Sequence, residues 1–251
     1  MSKKCIFITV FMNEHYIKLL FMLLESIYLF GNLDEYTDIL IYTSTNFMEI
    51  ISKSNFYSDK IKFEINDDYN DLYNSCRARL DLFNLKLVEN YKKILYLDTD
   101  ILIKGEINKV FDLANEDLLY ALSEGQIYHE SNSWGRILFG DEVFNYSDPS
   151  AFTSGILLFN NCEKIKFLFD KINEDMINRP ESYFDQPYIV YNSFKYGLYN
   201  NKVLGTCVAN HDYGCFNHIV VDHFPGGPGD PSQKLLIMKD YLEYLKRISN
   251  K

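Results

Sequence analysis

The sequence of 251 residues lacks a long uninterrupted hydrophobic run. Its longest apolar stretch, residues 17–30, contains charged residues and is shorter than the roughly 20 residues of a membrane span. The apolar residues 5–12 follow two lysines but lack the small-residue cleavage site of a signal peptide. We therefore expect no membrane span, no signal peptide and a cytoplasmic location.

Cysteine and positive charge are also scarce. The five cysteines are odd in number and widely spread, which favours a reducing compartment over a disulfide scaffold. With 25 basic and 35 acidic residues the net charge is −10, and no basic patch is visible, so nucleic acid is not an expected partner. A composition with 47% hydrophobic residues excludes a disordered chain, and the length suits one domain spanning residues 1–251.

Predicted strands and helices alternate along the chain. Apolar runs predict strands at 6–10, 39–43, 61–65, 94–97, 155–159 and 220–223. Helical patterns cover 16–30, 47–54, 79–91, 162–178, 186–195 and 233–248, and Asp185 is predicted to cap the helix that begins at Gln186. This alternation predicts an α/β fold with a mainly parallel sheet covered by helices on both faces.

Two aspartates, Asp98 and Asp100, lie between the apolar runs 94–97 and 101–103. Residues two apart in an extended backbone project to the same side, and parallel sheets bind ligands at the carboxyl ends of their strands. Carboxylates at the end of a buried strand lose hydration, and this loss is costly unless a cation or a hydrogen-bond donor pairs with them. The pattern therefore indicates a metal site, with an acidic turn as the alternative.

A histidine and an arginine occupy similar positions at the ends of predicted elements. His223 ends a strand and precedes a segment rich in glycine and proline, so it can supply a nitrogen ligand beside loop amides that face an anion. Arg79 stands at the start of a predicted helix, where a guanidinium suits oxyanions and sugar hydroxyls. The structural alternatives are a capped strand and a surface turn for the His223 segment, and pairing with Asp81 or another acid for Arg79.

Two further groups of residues have both a structural and a functional interpretation. Phe152 to Gly155 lead into the apolar run Ile156 to Phe159, and Asp185 and Gln186 open a helix, so the first group also fits a tight turn and the second a helix cap. A second cluster could hold zinc: Cys207, His211, Cys215 and His218. Its spacing does not match the paired ligands of structural zinc sites, and we do not predict one.

Taken in chain order, these motifs resemble the retaining glycosyltransferases of family 8. The matching elements are Asn13 and Tyr16, Ala78-Arg79-Leu80, Leu97-Asp98-Thr99-Asp100, Phe152 to Gly155, Asp185-Gln186 and His223-Phe224-Pro225-Gly226. The resemblance covers almost the whole chain, and six motifs in the family's order are more specific than any single one. It implies a GT-A fold and a transferase that uses a nucleotide-sugar, most often a UDP-sugar.

The resemblance also implies a role for each matching residue. Asp98, Asp100 and His223 would hold a divalent metal. Val10, Asn13 and Tyr16 would contact the nucleotide, with Tyr16 stacked on uracil. Arg79, Ser154, Asp185 and Gln186 would surround the donor sugar, with Asp185 or Gln186 stabilising an oxocarbenium-like centre, and Gly226 would meet the diphosphate. Two carboxylates and one imidazole suit Mn²⁺ better than Mg²⁺, which prefers oxygen ligands.

The chain departs from the family pattern at two places. Thr153 stands where the family often has asparagine, which changes a hydrogen bond to the donor sugar. The family's lysine after the histidine motif is missing, and residues 227–230 read Gly-Pro-Gly-Asp instead. Our hypothesis is that glycine amides of this loop, or Lys234 from the last helix, contact the diphosphate in its place.

Other functions stay open at this point. A haloacid-dehalogenase-like phosphohydrolase shares the strand followed by Asp-x-Asp, and a non-catalytic nucleotide-sugar-binding domain would keep the same fold. A sugar nucleotidyltransferase would need a glycine-rich loop after the first strand, which Phe11-Met12-Asn13-Glu14 does not provide. The acceptor can be a glycan, a small molecule, a protein or the enzyme itself, and the oligomeric state, including a homodimer, is open.

Overall fold

The computed structural model describes residues 3–180, 184–211, 218–226 and 231–249, and within them the strands form two sheets. The larger sheet contains β1 (Lys4–Val10), β2 (Thr37–Thr43), β3 (Ile61–Ile65), β4 (Lys93–Leu97), β6 (Leu119–Gln126), β7 (Ser150–Asn160) and β8 (Tyr199–Asn200). Their order is β3-β2-β1-β4-β7-β6-β8. The first four are parallel, β7 is antiparallel to both of its neighbours, and β8 is parallel to β6.

The smaller sheet contains β5 (Ile101–Ile103), β9 (Val208–Asn210) and β10 (Val221–His223). Strand β10 lies in the centre, antiparallel to β5 and parallel to β9. In this register His223 is paired with Ile101 on one side and with Asn210 on the other. The small sheet therefore places His223 beside the segment that follows β4 in the sequence.

Helices flank the sheets. Their bounds are α1 (Glu14–Phe30), α2 (Thr45–Ser52), α3 (Leu72–Arg77), α4 (Asn108–Phe111), α5 (Arg136–Phe139), α6 (Glu163–Asn178), α7 (Gln186–Tyr196) and α8 (Ser232–Ser249). Short 3₁₀ helices occur at Ala78–Asn84, Lys86–Asn90, Gly140–Asn145 and Leu204–Thr206. None of the helices in the described part of the chain combines the length and the apolar character that a membrane crossing requires.

Both faces of the large sheet are buried. Along β1, Phe7 points into an apolar core that also contains residues of α6 and α7, whereas Ile6 and Ile8 point into a second core with α1 and α2. A smaller core joins α1 to α8 and includes Leu19 and Met238. The structure thus confirms the prediction of an α/β fold with a mainly parallel sheet between helices.

The predicted helix over residues 79–91 is wrong. The chain instead forms α3 and then two 3₁₀ helices, which Leu85 separates with an extended backbone at φ −82° and ψ 132°. Leu82, Leu85 and Val88 are buried and recur every three residues. That spacing matches the three residues per turn of a 3₁₀ helix better than the 3.6 of an α-helix.

Four strands were not predicted from the sequence: β5, β6, β8 and β9. The first half of β6, from Leu119 to Leu122, is buried and its second half is largely exposed, so neither alternation nor a long apolar run marks it. The other three contain two or three residues each. Such short strands are defined by pairing with distant parts of the chain, which a local pattern does not reveal.

Candidate active site

A cavity of about 600 Å³ opens at the carboxyl ends of β1 and β4. Thr9 and Val10 at the end of β1 line one wall, and Asp98 follows β4. Residues from the start of α7 and from the chain after β10 complete it. This is the edge at which parallel α/β sheets bind ligands, because the strands end there and the following turns face a common crevice.

The aspartates and the histidine predicted to bind a metal meet in this cavity. Ligand atoms of Asp98, Asp100 and His223 all lie within 4.8 Å of one another, and His223 Nε2 is 3.7 Å from Asp100 Oδ1. That oxygen of Asp100 is buried, and no described residue forms a hydrogen bond with it. Two carboxylates and an imidazole form a donor set that suits a divalent cation such as Mn²⁺.

Gly155 keeps the space between these ligands open. A Cβ at this position would lie 2.8 Å from His223 Nε2 and 3.1 Å from Asp98 Oδ2, closer than real side chains approach. The residue is therefore a glycine because β7 passes directly beside the cluster. An orphaned carboxylate oxygen and a space that a methyl group would fill both fit a bound cation.

A lysine from the last helix reaches the same cluster. Lys234 Nζ lies 2.6 Å from Asp100 Oδ2, and both side chains are mostly buried. The stem of Lys234 passes over Gly226, where an added Cβ would be 3.4 Å from its Cε. Both residues line the cavity, as the sequence analysis expected of groups that contact a diphosphate.

Arg79 lies between two carboxylates, that of Asp185, which is buried, and that of Asp98, which is partly exposed. Its Nε is 2.8 Å from Asp185 Oδ2, its Nη1 is 3.2 Å from Asp98 Oδ1, and Nη1 donates a hydrogen bond of 2.6 Å to the carbonyl of Ser154. The guanidinium also stacks 4.7 Å from the centre of the Tyr96 ring. Burial alone would lower the pKa of Arg79, but Asp185 and Asp98 raise it. The guanidinium is therefore a fixed positive charge at the centre of the site.

The two carboxyl groups beside Arg79 hold their protons more strongly than usual. Burial raises the pKa of Asp98, although Arg79 and a hydrogen bond from the Tyr96 hydroxyl act in the opposite direction. Burial likewise raises the pKa of Asp185, and Arg79 offsets part of this effect. When both are ionised, two carboxylates and one guanidinium leave one net negative charge at the base of the cavity.

Asp185 does not cap α7 as predicted. Its backbone is helical, at φ −79° and ψ −28°, and its side chain makes no capping hydrogen bond. The carboxylate faces Arg79 instead and is only 2% exposed. The carboxylate forms an ion pair with a buried guanidinium, and this partner lies more than 100 positions away in the sequence.

Gln186, the next residue, is held at both ends of its amide. Its Oε1 accepts hydrogen bonds from Ser154 N at 2.9 Å and Ser154 Oγ at 3.2 Å, and its Nε2 donates to Ser133 O at 3.1 Å. The side chain thereby ties α7 to β7. It orients Ser154 toward the cavity, which both residues line.

Among the residues predicted to contact the nucleotide, Val10 and Tyr16 line the cavity, while Asn13 is not among the residues lining it. Asn13 caps α1, where its side chain accepts a hydrogen bond from His15 N at 2.9 Å. In the alternative zinc cluster, His211 stacks on Phe224, and Cys215 lies outside the described residues. The glycine amides of residues 227–230 also lie outside them.

The sequence analysis missed several residues of the cavity wall. Glu124 on β6, Trp134, and Tyr96 on β4 all line it, and Asn210 on β9 contacts His223. Glu124 and Asn210 belong to strands that were not predicted. Trp134 is the one tryptophan of the sequence, a signal that could have marked it for attention.

The family model described as glycosyl transferase family 8 matches residues 9–195. No curated protein sequence matches the chain. Among solved structures, the galactosyltransferase LgtC, in complex with donor and acceptor sugar analogues, has a TM-score of 0.66 and 15% identity over 96% of this chain and 95% of that chain. Mouse xyloside xylosyltransferase 1 has a TM-score of 0.60 and 12% identity over 89% and 97%.

The bifunctional glycosyltransferase WbbM has a TM-score of 0.63 and 13% identity over 98% of this chain. The present chain spans 51% of WbbM, about half of its length. At these low identities the likeness concerns the fold. It confirms the prediction of a GT-A fold.

Proposed function

Since the chain belongs to glycosyl transferase family 8 and is a glycosyltransferase, we propose that it transfers a hexose or N-acetylhexosamine from a UDP-sugar, with a divalent cation at Asp98, Asp100 and His223. Family membership confirms the predicted enzyme class and removes the phosphohydrolase alternative. The observation that carries the finer proposal is the convergence of these three side chains within 4.8 Å. Asp98 and Asp100 lie between β4 of the large sheet and β5 of the small sheet, His223 ends β10, and all three line one cavity.

A cation at this site would neutralise the negative charge that builds up on the diphosphate as the glycosidic bond breaks, without any proton transfer. Asp98 and Asp100 supply oxygen ligands and His223 supplies nitrogen. This mixed set favours Mn²⁺ over Mg²⁺. The proposal assigns the nucleotide to the wall formed by Val10 and Tyr16, with Tyr16 stacked on uracil and Asn13 at the edge of the site.

The donor sugar would lie near Arg79, Ser154, Asp185 and Gln186. As the bond to the diphosphate breaks, positive charge develops on the sugar ring. The carboxylate of Asp185, which would remain free of the cation, would stabilise this charge electrostatically. Gln186 is hydrogen-bonded to protein at both ends of its amide, so it holds Ser154 in place and Asp185 is the better candidate for the electrostatic role.

Lys234 and Gly226 would face the diphosphate. The ammonium of Lys234 pairs with Asp100 in the present structure and is the nearest positive charge from the last helix. Lys234→Ala should weaken UDP binding about tenfold, a loss of about 1.4 kcal/mol. Mn²⁺ alone should bind at least as tightly as before, because no ammonium competes for Asp100. Lys239→Ala, an exposed lysine on the same helix, is the control. Unchanged UDP affinity in Lys234→Ala would remove this residue from the proposal.

The first experiment screens UDP-glucose, UDP-galactose and UDP-N-acetylglucosamine for Mn²⁺-dependent hydrolysis, which needs no knowledge of the acceptor. Asp100→Ala should abolish this reaction while leaving the fold intact, whereas Asp117→Ala on the surface should not affect it. Full activity of Asp100→Ala would contradict the role of this residue. His223→Ala should weaken binding of Mn²⁺ and of UDP together, because both depend on one site.

The proposal also includes retention of configuration at the sugar. UDP-sugars of this kind carry the sugar in the α configuration, so the free sugar released by hydrolysis should first appear as its α anomer. Proton NMR during the reaction distinguishes the anomers. A β-configured first product would contradict the retaining assignment.

A further inference from the structure

The nitrogen of His223 that faces the cation site is Nε2. It lies 3.7 Å from Asp100 Oδ1 and beside the space that Gly155 leaves open. A neutral imidazole carries its proton on one nitrogen and a lone pair on the other, and only the lone pair binds a metal. For His223 to be a ligand, the proton must therefore lie on Nδ1.

The group that faces Nδ1 is an amide oxygen. Asn210 Oδ1 is 2.8 Å from His223 Nδ1, and both residues are 4% exposed. They are direct partners in the parallel pairing of β9 with β10. Because an amide oxygen only accepts hydrogen bonds, Nδ1 has to donate to it, which leaves the lone pair on Nε2.

The orientation of this amide is fixed in turn by a carboxylate. Asn210 Nδ2 donates to Glu124 Oε2 at 2.8 Å. If the amide were rotated by half a turn, its oxygen would face the carboxylate and its NH₂ group would face Nδ1. A carboxylate cannot donate a hydrogen bond, so the rotated amide would lose this bond and place two oxygens against each other.

We propose that Glu124 and Asn210 are positioning residues that fix the tautomer and ring orientation of His223 and thereby raise the affinity of the site for a divalent cation. Neither belongs to the cluster of potential ligands. The relay runs from β6 of the large sheet through β9 to β10 of the small sheet. The inference rests on the proposed function, since it concerns the cation that Asp98, Asp100 and His223 would hold.

The first test reads the tautomer without any metal. In protein labelled with ¹⁵N-histidine, at a pH above the titration range of imidazole, long-range ¹H–¹⁵N correlations of His223 should show the proton on Nδ1. The signal is assigned by its loss in His223→Ala. In Asn210→Leu the proton should move mainly to Nε2, the form that dominates in free histidine. An unchanged pattern in Asn210→Leu would overturn the proposal.

The second test measures Mn²⁺ binding by titration calorimetry. Asn210→Leu should bind Mn²⁺ about 10- to 100-fold more weakly, the usual effect of removing the partner of a metal-binding histidine. Glu124→Ala should give a smaller loss, because the amide remains but is no longer held. Asn201→Leu is the matched control: Asn201 is equally buried and donates to Ser150 O. It should lose stability and keep its Mn²⁺ affinity.

A paired exchange separates this role from a packing effect. In the double variant Glu124→Gln with Asn210→Asp, the new amide can donate to the new carboxylate, which still accepts from Nδ1. Charge and volume stay the same, so Mn²⁺ affinity and the Nδ1 proton should be retained within a few-fold. Loss of Mn²⁺ binding in the exchanged variant as large as that in Asn210→Leu would contradict the relay.

The outcomes for the inference and for the proposed function differ. If the unmodified protein does not bind Mn²⁺, the proposed metal site fails. If it binds Mn²⁺ and Asn210→Leu binds it equally well, only the relay fails.

Discussion

At the scale of single residues, the site depends on one guanidinium. Arg79 is 8% exposed and contacts Asp98 and Asp185, whose pKa values burial already raises. Removing one partner of a buried ion pair is strongly destabilising, because the remaining charge stays in the interior without compensation. Arg79 therefore contributes to stability, besides the role in donor binding that we propose for it.

Arg79→Leu should reduce the free energy of unfolding by about 3 kcal/mol at about pH 8 and by less at about pH 5. In the variant, the pKa values of Asp98 and Asp185 rise still further above their unfolded values. The folded state then takes up protons as the pH falls and regains stability. Urea unfolding at the two pH values measures the effect, with Arg247→Leu on the surface as control. An equal loss at both pH values would contradict this electrostatic explanation.

Gly155 gives a second prediction at this scale. In Gly155→Ala the new methyl group would meet His223 Nε2 and Asp98 Oδ2. These side chains must then move apart, and Mn²⁺ affinity should fall at least about tenfold, or about 1.4 kcal/mol. Gly205→Ala is the control, because the nearest atom to an added Cβ there is 4.0 Å away. Calorimetry with Mn²⁺ would contradict the prediction if both variants bound equally well.

At the scale of elements, the small sheet is attached to α1 by a buried hydroxyl. Ser26 Oγ accepts a hydrogen bond of 2.9 Å from Ile103 N on β5 and donates one of 2.7 Å to Leu23 O. The side chain is fully buried. Because β5 begins directly after Asp100, this link also fixes the position of a proposed metal ligand.

Ser26→Ala would leave the amide of Ile103 without a partner in the interior. We expect a loss of about 1–3 kcal/mol in the free energy of unfolding, the usual cost of an unsatisfied buried donor. Ser54→Ala should change it by less than about 0.5 kcal/mol, since that half-buried hydroxyl makes only local hydrogen bonds: it donates to Ile51 O and accepts from Phe56 N, whose amide can turn to water. Denaturant titration of both variants is the measurement, and equal losses would show that Ser26 has no special role.

At the scale of the whole molecule, the proposed metal would connect the two sheets. Asp98 and Asp100 lie between β4 of the large sheet and β5 of the small one, and His223 ends β10. A ligand that binds only the folded state stabilises it by RT ln(1 + [L]/Kd), which grows with the concentration of free ligand. The protein has a net charge of −10, so a cation should also assist the binding of an anionic donor.

Mn²⁺ and UDP together should therefore raise the melting temperature. At concentrations about 100 times the dissociation constant the gain is about 2.7 kcal/mol, which corresponds to a shift of about 5–10 °C for a chain of this size. Differential scanning fluorimetry measures it, and the Mn²⁺-dependent part should vanish in His223→Ala. If UDP alone gave the whole shift in the unmodified protein, the cation would have no part in donor binding.

The sequence by itself determined most of the large sheet and the order of its motifs. Strand β3 has the bounds that its apolar pattern predicts, and β1, β2 and β4 differ from their predictions by only a few residues. The bounds of such strands depend on the polarity of residues that are neighbours in the sequence, and this polarity is visible in the sequence alone. The pair Asp98 and Asp100 was found for the same reason, because it directly follows a buried strand.

Only the tertiary structure decided which distant groups meet. The ion pair of Asp185 with Arg79, the contact of Lys234 with Asp100, and the contact of Asn210 with His223 join residues that local patterns treat separately. The 3₁₀ helices and the short strands likewise depend on packing against remote elements. Their positions follow from the register of strands that are far apart in the chain, and that register is fixed by the assembled core.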